Sequence, residues 1–592
     1  MGVLLQPILV SIIAGLFILV LPKTFRKMTE GFSLVTSLYL LAASIRIFLK
    51  APIEADFLYV DSLSRFIALG IGFFGALVTL YSTRSMSSYK DVSSYYACVI
   101  WTIGISLLAS VSNNVILLIA AWGFLGLLLY TLINVSGARS AAISKKTLII
   151  VAGSDGFMIL GFALLWRITG SLSLSGIRVE IDNPLSFWAF LFIAIGAFAK
   201  AGAMPFHSWI PDTAKEAPIT VTAFLPASLD KLLGIYLLAR LVMNVFVLDN
   251  FSRALLMIIG VITIMAGAMA ALVQNDFKKL LSFCAISQVG YIVLGIGTGS
   301  VIGLAGGLFH MVNHAIYKSC LFLSCGNVEY RANDSDLDRL GGFAKMMPLS
   351  FMTALTAFFA MSGIPPFNGF FSKWMIYQAL VEKGSEGGVL WIFCLVAAMF
   401  GSGLAVAASV KLINGVFLGP RKHGLAREVP WQMWLPVVIL AVLCIVFGVF
   451  AYIVPLRYLI IPVLPGGLAF IGAWPSIKAA LFLLTGLGAG VLICFMGNFK
   501  GVRESPPYIG GEEISDEMRL SGTEFYNTVK EHGMLRGIYK KAETGFFDIY
   551  EQGKNITLGF GRFFQYLHNG VLPTYLVWAL LGMMGLFLFL VK

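Results

Sequence analysis

Residues 185–209 read LSFWAFLFIAIGAFAKAGAMPFHSW. The run 185–199 is apolar, Lys200 closes it, and Gly202 and Pro205 break the helix such a run would otherwise continue. A second stretch carries the same pattern: Ser362-Gly363-Ile364-Pro365-Pro366-Phe367-Asn368-Gly369-Phe370 aligns with Ala201-Gly202-Ala203-Met204-Pro205-Phe206-His207-Ser208-Trp209. Proline is common in membrane helices, so either break alone says little. Paired breaks in corresponding halves point to an inverted-repeat transporter, whose site lies where the helices are discontinuous.

The remainder of the chain supports a bilayer setting. Of 592 residues, 58% are hydrophobic and 12% charged, against about 25% charged in a soluble domain. Roughly 20 apolar residues cover about 30 Å of hydrocarbon, and by that rule about sixteen runs are long enough to span. Residues 3–22, 63–82, 251–273, 432–452 and 571–591 are the clearest. The formal charge of +12 is not a nucleic-acid surface, because it is split among alternate loops such as Lys23, Arg26 and Lys27, or Arg139, Lys145 and Lys146. Intervening loops carry acids such as Glu54, Asp56, Asp61 and Asp249. This positive-inside alternation predicts an external N-terminus. The first run lacks a basic n-region and a small-residue cleavage site, and reads as a retained helix. The seven cysteines sit in apolar runs without a CxxC pair, so neither iron–sulfur nor zinc ligation is expected in this chain.

The one long polar stretch is 497–570, with Pro506-Pro507, Gly510-Gly511 and Glu512, Glu513, Asp516 and Glu517. Within it, 522–567 mixes aromatic and charged residues, as expected of an amphipathic helix on the membrane surface or against partner subunits.

Ionisable residues inside the spans are the most informative feature. They are Asp155, Lys200, Asp230, Lys231, His310, His314, Lys318, Lys373 and Lys411. A lysine near mid-bilayer costs at least about 2.5–3.5 kcal/mol, so five of them imply a polar interior with a task. Snorkelling is a structural alternative for Lys411, and helix-end anchoring one for Lys373. His310, His314 and Lys318 stand at i, i+4 and i+8, on one helix face. Desolvation and neighbouring carboxylates move a lysine between charged and neutral, and histidine relays near neutral pH. Such a row is suited to proton transfer. His310 and His314 depart from the zincin pattern, lacking a Glu after the first histidine.

At these motifs the chain resembles the antiporter-like, proton-translocating subunits of respiratory complex I, of energy-converting membrane-bound hydrogenases and formate hydrogenlyase, and of Mrp sodium/proton antiporters. The matching stretches are KAGAMPFHSWIPDTAKEAPITVTAFLPA at 200–227, LVQNDFKKLLSFCAISQVGY at 272–291, FHMVNHAIYKSCLF at 309–322 and SGIPPFNGFFSK at 362–373. The resemblance implies an all-α polytopic membrane protein with a fourteen-helix core of two inverted five-helix repeats, plus C-terminal helices. Its boundaries fall at 1–91 for N-terminal helices, 92–246 and 247–418 for the repeats, 419–496 for additional helices, 497–570 for a cytoplasmic lateral segment and 571–592 for an anchor helix. It implies Lys200 as the first-channel lysine, Lys231, His310, His314 and Lys318 as the central relay, and Lys373 as the exit-side lysine. Asp155 matches the aspartate on the helix before Lys200.

One departure stands out. The resembled family carries a glutamate after the tryptophan of its fifth helix, and here that residue is Gly123, after Trp122. Asp230 is an acid where a neutral residue is expected. Asp155 or Asp230 is therefore the expected replacement partner of Lys200. The rival is a first half-channel that has lost its switch. The expected function is ion translocation, most simply of protons, within a redox-driven complex in a prokaryotic plasma membrane. Partners would be other antiporter-like subunits and a peripheral redox arm carrying iron–sulfur clusters and, in a hydrogenase, nickel–iron. VKLINGVFLGP at 410–420 favours the hydrogenase branch. A sodium/proton antiporter and a purely structural anchor are the alternatives.

Overall fold

The computed structural model describes residues 2–55, 57–385, 387–419, 426–470, 475–496 and 524–590. Three helices open the chain: α1 (Gly2–Val20), α2 (Arg26–Leu49) and α3 (Ser62–Ser85). Next come α4 (Val92–Val111), α5 (Val115–Asn134), α6 (Ala141–Thr169), a helix broken into α7 (Pro184–Ala201) and α8 (Trp209–Glu216), and a helix made of α9 (Ile219–Phe224), a π turn at Leu225–Leu229, α10 (Asp230–Arg240) and a second π turn at Leu241–Val245. The same order returns in α11 (Asn250–Leu272), α12 (Phe277–Gly297) and α13 (Val301–Ala332). After the one-turn α14 (Phe343–Met346), the broken pair α15 (Pro348–Ser362) and α16 (Asn368–Gly384) follows, then α17 (Leu390–Ile413) with a π turn at Asn414–Leu418. Beyond lie α18 (Trp431–Val449) and α19 (Ser476–Met496).

Local chemistry sets these boundaries. Loops close on residues that cap the next helix: Asp61, Asn114, Asn183, Asp249, Asp276 and Ser300 each accept backbone N–H groups through the side chain, satisfying donors a helix start leaves bare. Both broken helices stop at a left-handed glycine, Gly202 and Gly363, each at φ 78°. Helix α11 packs closely on α12 because Gly260 and Gly290 face each other's backbone. A Cβ at Gly260 would lie 2.9 Å from the Gly290 carbonyl oxygen.

Twelve helices among the described residues are long and apolar enough to cross a membrane, and shorter apolar ones include Leu4–Val20, Pro348–Ser362, Tyr452–Val463 and Ser476–Gly490. Pro348–Ser362 is short because Gly363 interrupts it. Two elements are enclosed by the others. α13 is buried from Ile302 to Val328, and every residue from Ile219 to Leu241 is buried. These two carry Asp230, Lys231, His310, His314 and Lys318, so the costly charges lie farthest from lipid.

Residues 531–592 pack as a second compact unit. The single amphipathic helix expected over 522–567 is replaced by three: α20 (Glu524–Glu531), α21 (Gly533–Glu543) and α22 (Ile549–Leu567). The break after α21 follows from Gly545 at φ 76° and from Asp548, which caps α22. Residues 497–523 of the expected lateral segment lie outside the described residues. The chain's last described helix is α23 (Leu572–Leu590).

Candidate functional site: a row of buried lysines

Lys200, the last-but-one residue of α7, is 2% exposed. Its ammonium lies 4.7 Å from the centre of the Trp122 ring and donates to the Trp122 carbonyl at 3.4 Å. The charges of Asp230 and Asp155 both reach it, but neither carboxylate forms an ion pair with it at contact distance. Asp155 Oδ1 and Asp230 Oδ2 have no hydrogen-bond partner among the described residues. These carboxylates stand apart from their cation, held by a fold that leaves them capacity to accept.

Gly123 is exposed, and a Cβ there would meet nothing within 4 Å. A side chain at 123 therefore points away from Lys200. At Gly126 a Cβ would meet Asp155 Oδ2 at 4.0 Å. The acids around Lys200 come instead from α6 and α10.

Lys231 donates to the carbonyl of Ala201 across the break. Its ammonium fills the space beside Gly202, 2.7 Å from where a Cβ would stand. Gly202 thus serves twice, by its left-handed backbone and by its missing side chain. The π turn just before Asp230 shifts the helix register at the point where Asp230 and Lys231 enter the interior.

His314 is within electrostatic reach of Lys231, Lys318 and His310, and neither of its ring nitrogens has a hydrogen-bond partner at normal geometry among the described residues. Lys318 donates to the Leu281 carbonyl at 3.1 Å and the Met361 sulfur at 2.9 Å. Lys373 donates to the Met361 carbonyl at 3.0 Å and lies 4.8 Å from the Tyr291 ring centre. Met361 therefore joins the two lysines. As a helix-end anchor Lys373 would turn outward; it is 2% exposed and turns inward. Beside it, His310 Nδ1 meets Ser372 Oγ at 2.8 Å, and Asn313 donates to Ser372 Oγ and to the Asn368 carbonyl. His310 Nε2 lies 3.3 Å from both Gln288 Oε1 and the Tyr317 hydroxyl.

Lys411 is also buried, and among the described residues the one charge that reaches it is that of Asp338. It does not snorkel: it is 2% exposed and donates to the Leu272 carbonyl at 2.9 Å and Asn275 Oδ1 at 3.0 Å. Asn275 in turn donates to Asp338.

Pro205 and Pro366 follow cis peptide bonds, and Pro205, Pro365 and Pro366 all lie in the two breaks. Sequence alone assigns no role to Trp122, Gln288, Asn313, Met361, Asn368, Ser372 or Asn275, all of which touch the lysines, His310 or one another here. Most were legible by the rule that found the lysines, since an amide or hydroxyl inside an apolar helix also needs a reason. Away from the row, at the far end of α10, Arg240 grips Asp61 with bonds of 2.5 and 3.0 Å. Burial alone would raise the Asp61 carboxyl, but Arg240 and the Ser64 N–H hold it below its ordinary 3.8. A cavity of about 260 Å³ adjoins this clamp and lies apart from the row.

Broken, π-turned helices around a row of buried cations define a polytopic membrane protein of antiporter-like build. Residues 112–404 match the family described as "NADH:quinone oxidoreductase/Mrp antiporter, TM", and that stretch of the chain belongs to it. The chain is 31% identical over 526 residues to a Na(+)/H(+) antiporter subunit of Alkalihalophilus pseudofirmus, covering 81% of this chain and 65% of that one. It thus spans just under two thirds of that relative. Two solved structures share the fold. A chain of the membrane-bound sulfane sulfur reductase, an archaeal respiratory membrane complex, matches with a TM-score of 0.82 at 22% identity, covering 98% of this chain and 99% of that one. A chain of the Mrp complex from Dietzia sp. matches with a TM-score of 0.70 at 20% identity, covering 78% and 96%.

Proposed function

We propose that this chain is the proton-translocating subunit of a redox-driven, multi-subunit complex in a prokaryotic plasma membrane, of the energy-converting hydrogenase or complex I type, with its N-terminus outside. The observation that carries this is the row itself. Lys200, Asp230, Lys231, His314, Lys318, Lys373 and Lys411 are buried on broken, π-turned or wholly enclosed helices, and Asp155 reaches Lys200 from the continuous helix α6. A carboxylate moving towards Lys200 or Lys231 favours the loaded ammonium, and moving away releases the proton. His314, whose ring nitrogens make no hydrogen bond of normal geometry among the described residues, passes it towards Lys318. A charge arriving on one buried lysine disfavours charge on the next, which drives the load onward. The driving change comes from neighbouring subunits, antiporter-like chains and a peripheral arm holding iron–sulfur clusters and, in a hydrogenase, nickel–iron. The full-length fold match to a respiratory complex supports this coupling.

A second reading, sodium/proton exchange without redox chemistry, is favoured by the 31% identical antiporter relative. Purifying the chain with its native partners in mild detergent separates the two. Iron with nickel and hydrogen-dependent electron transfer is the expected result. Iron without nickel points to a complex I-like or formate-linked enzyme, and a complex with neither metal overturns the redox reading in favour of exchange.

A further inference from the structure

We propose that Tyr526 is a positioning residue for Lys411, through which α20 holds the last lysine of the proposed row in place. Tyr526 lies on α20, 119 positions beyond Ala407, yet its hydroxyl donates to the Ala407 carbonyl at 2.8 Å. Ala407 is one helical turn before Lys411 on α17. The Lys411 ammonium sits 5.0 Å from the centre of the Tyr526 ring, and the tyrosine is only 8% exposed.

The chemistry of the ammonium explains the arrangement. It has three N–H donors, and the Leu272 carbonyl and Asn275 Oδ1 take two. The remaining side faces the tyrosine ring, whose negative face attracts a cation without supplying a proton acceptor. α17 continues for two residues past Lys411 before the π turn at Asn414–Leu418, and the Asn414 N–H is shared between the Lys411 and Val410 carbonyls. The helix fixes the Lys411 backbone but not its long side chain, whose four methylene carbons rotate freely and need an external stop. Asp338, one hydrogen bond beyond Asn275, is the acid towards which an unrestrained Lys411 would swing. The ring keeps the lysine in the row and off that acid.

This proposal rests on Lys411 belonging to the proton row, and the test separates the two. Proton movement is followed with a pH-sensitive dye in inside-out native membrane vesicles holding the assembled complex, driven by hydrogen or, for exchange, by a sodium chloride pulse. Tyr526→Phe keeps the ring and is expected to translocate close to wild type. Tyr526→Leu, and Tyr526→Met as a longer, more adaptable replacement should the leucine variant fail to assemble, are expected to fall roughly fivefold, the scale of a lost partly buried cation–π contact. In a Lys411→Gln background neither change should reduce transport further, because the tyrosine acts through the lysine. Undiminished transport in Tyr526→Leu, an equal loss in Tyr526→Phe, or an undiminished further loss in the Lys411→Gln background would each overturn the proposal. Normal transport by Lys411→Gln alone would instead remove Lys411 from the row, taking this inference with it while leaving the upstream lysines untouched.

Discussion

The two broken helices share a scaffold and differ in chemistry. Each stops at a glycine with φ 78°, and in each a lysine donates to a last-turn carbonyl, Lys231 to Ala201 and Lys373 to Met361. Counting back from the glycine, Lys200 in the first corresponds to Met361 in the second. Around the first break stand two carboxylates, Asp155 and Asp230. Around the second, no Asp or Glu occurs from 277 to 328 or from 348 to 381, and the partners are sulfur, carbonyls, amides, hydroxyls and a tyrosine ring. The first half can thus exchange charge between acid and lysine. Around the second break, Lys318 and Lys373 meet only neutral partners and one another. One backbone device hosts both a charge-compensated switch and an uncompensated relay, because the break itself supplies the carbonyls that either needs.

The largest effect should come from the relay. Lys318→Ala is expected to reduce ion translocation roughly a hundredfold or more, as losing a proton-transfer group does, while assembly judged by native electrophoresis stays intact. Normal pumping would make the second half a structural mimic of the first. The carboxylates come next. Asp155→Asn and Asp230→Asn should each slow proton uptake in vesicles by about tenfold, roughly one lost charge-assisted interaction, and the pair together by more. If neither single change matters, the first half has no acid switch.

A smaller effect separates the two breaks sterically. A Cβ at Gly202 would overlap Ile210 and displace Lys231, whereas at Gly363 the nearest atom is Lys373 Cδ at 3.1 Å, on a flexible chain. Both alanines carry about 1–2 kcal/mol of left-handed strain. Only Gly202→Ala should add a steric penalty, seen as the lower thermal midpoint of the purified complex. Equal midpoints would mean the first break is as loose as the second. The smallest functional change is expected of Gly123→Glu. Position 123 faces outward, so the restored acid should leave transport unchanged and lower the yield of inserted protein. A gain in pumping would show that position 123 turns inward after all.

Much of this architecture was legible in one dimension. Apolar length and loop charge dictate a polytopic chain, since the bilayer tolerates little else. The paired Gly–Pro interruptions at 202–205 and 363–366 announce the breaks, and lysines flanked by apolar residues announce the row, because isolated charge in hydrocarbon is too costly to keep without use. Tertiary structure decided which way each group turns. Lys411 sits where a span ends, a place that suits snorkelling, yet Leu272 and Asn275 on a neighbouring element draw it inward. Gly123 lies beside a buried tryptophan in sequence and still faces out. Residues 119 apart bring Tyr526 to the Ala407 carbonyl, a contact no local pattern encodes. Helical period and span length give a residue's depth and its angle on its own helix. The identity of the helix it faces, and so the chemistry of its partner, exists only once the helices are packed.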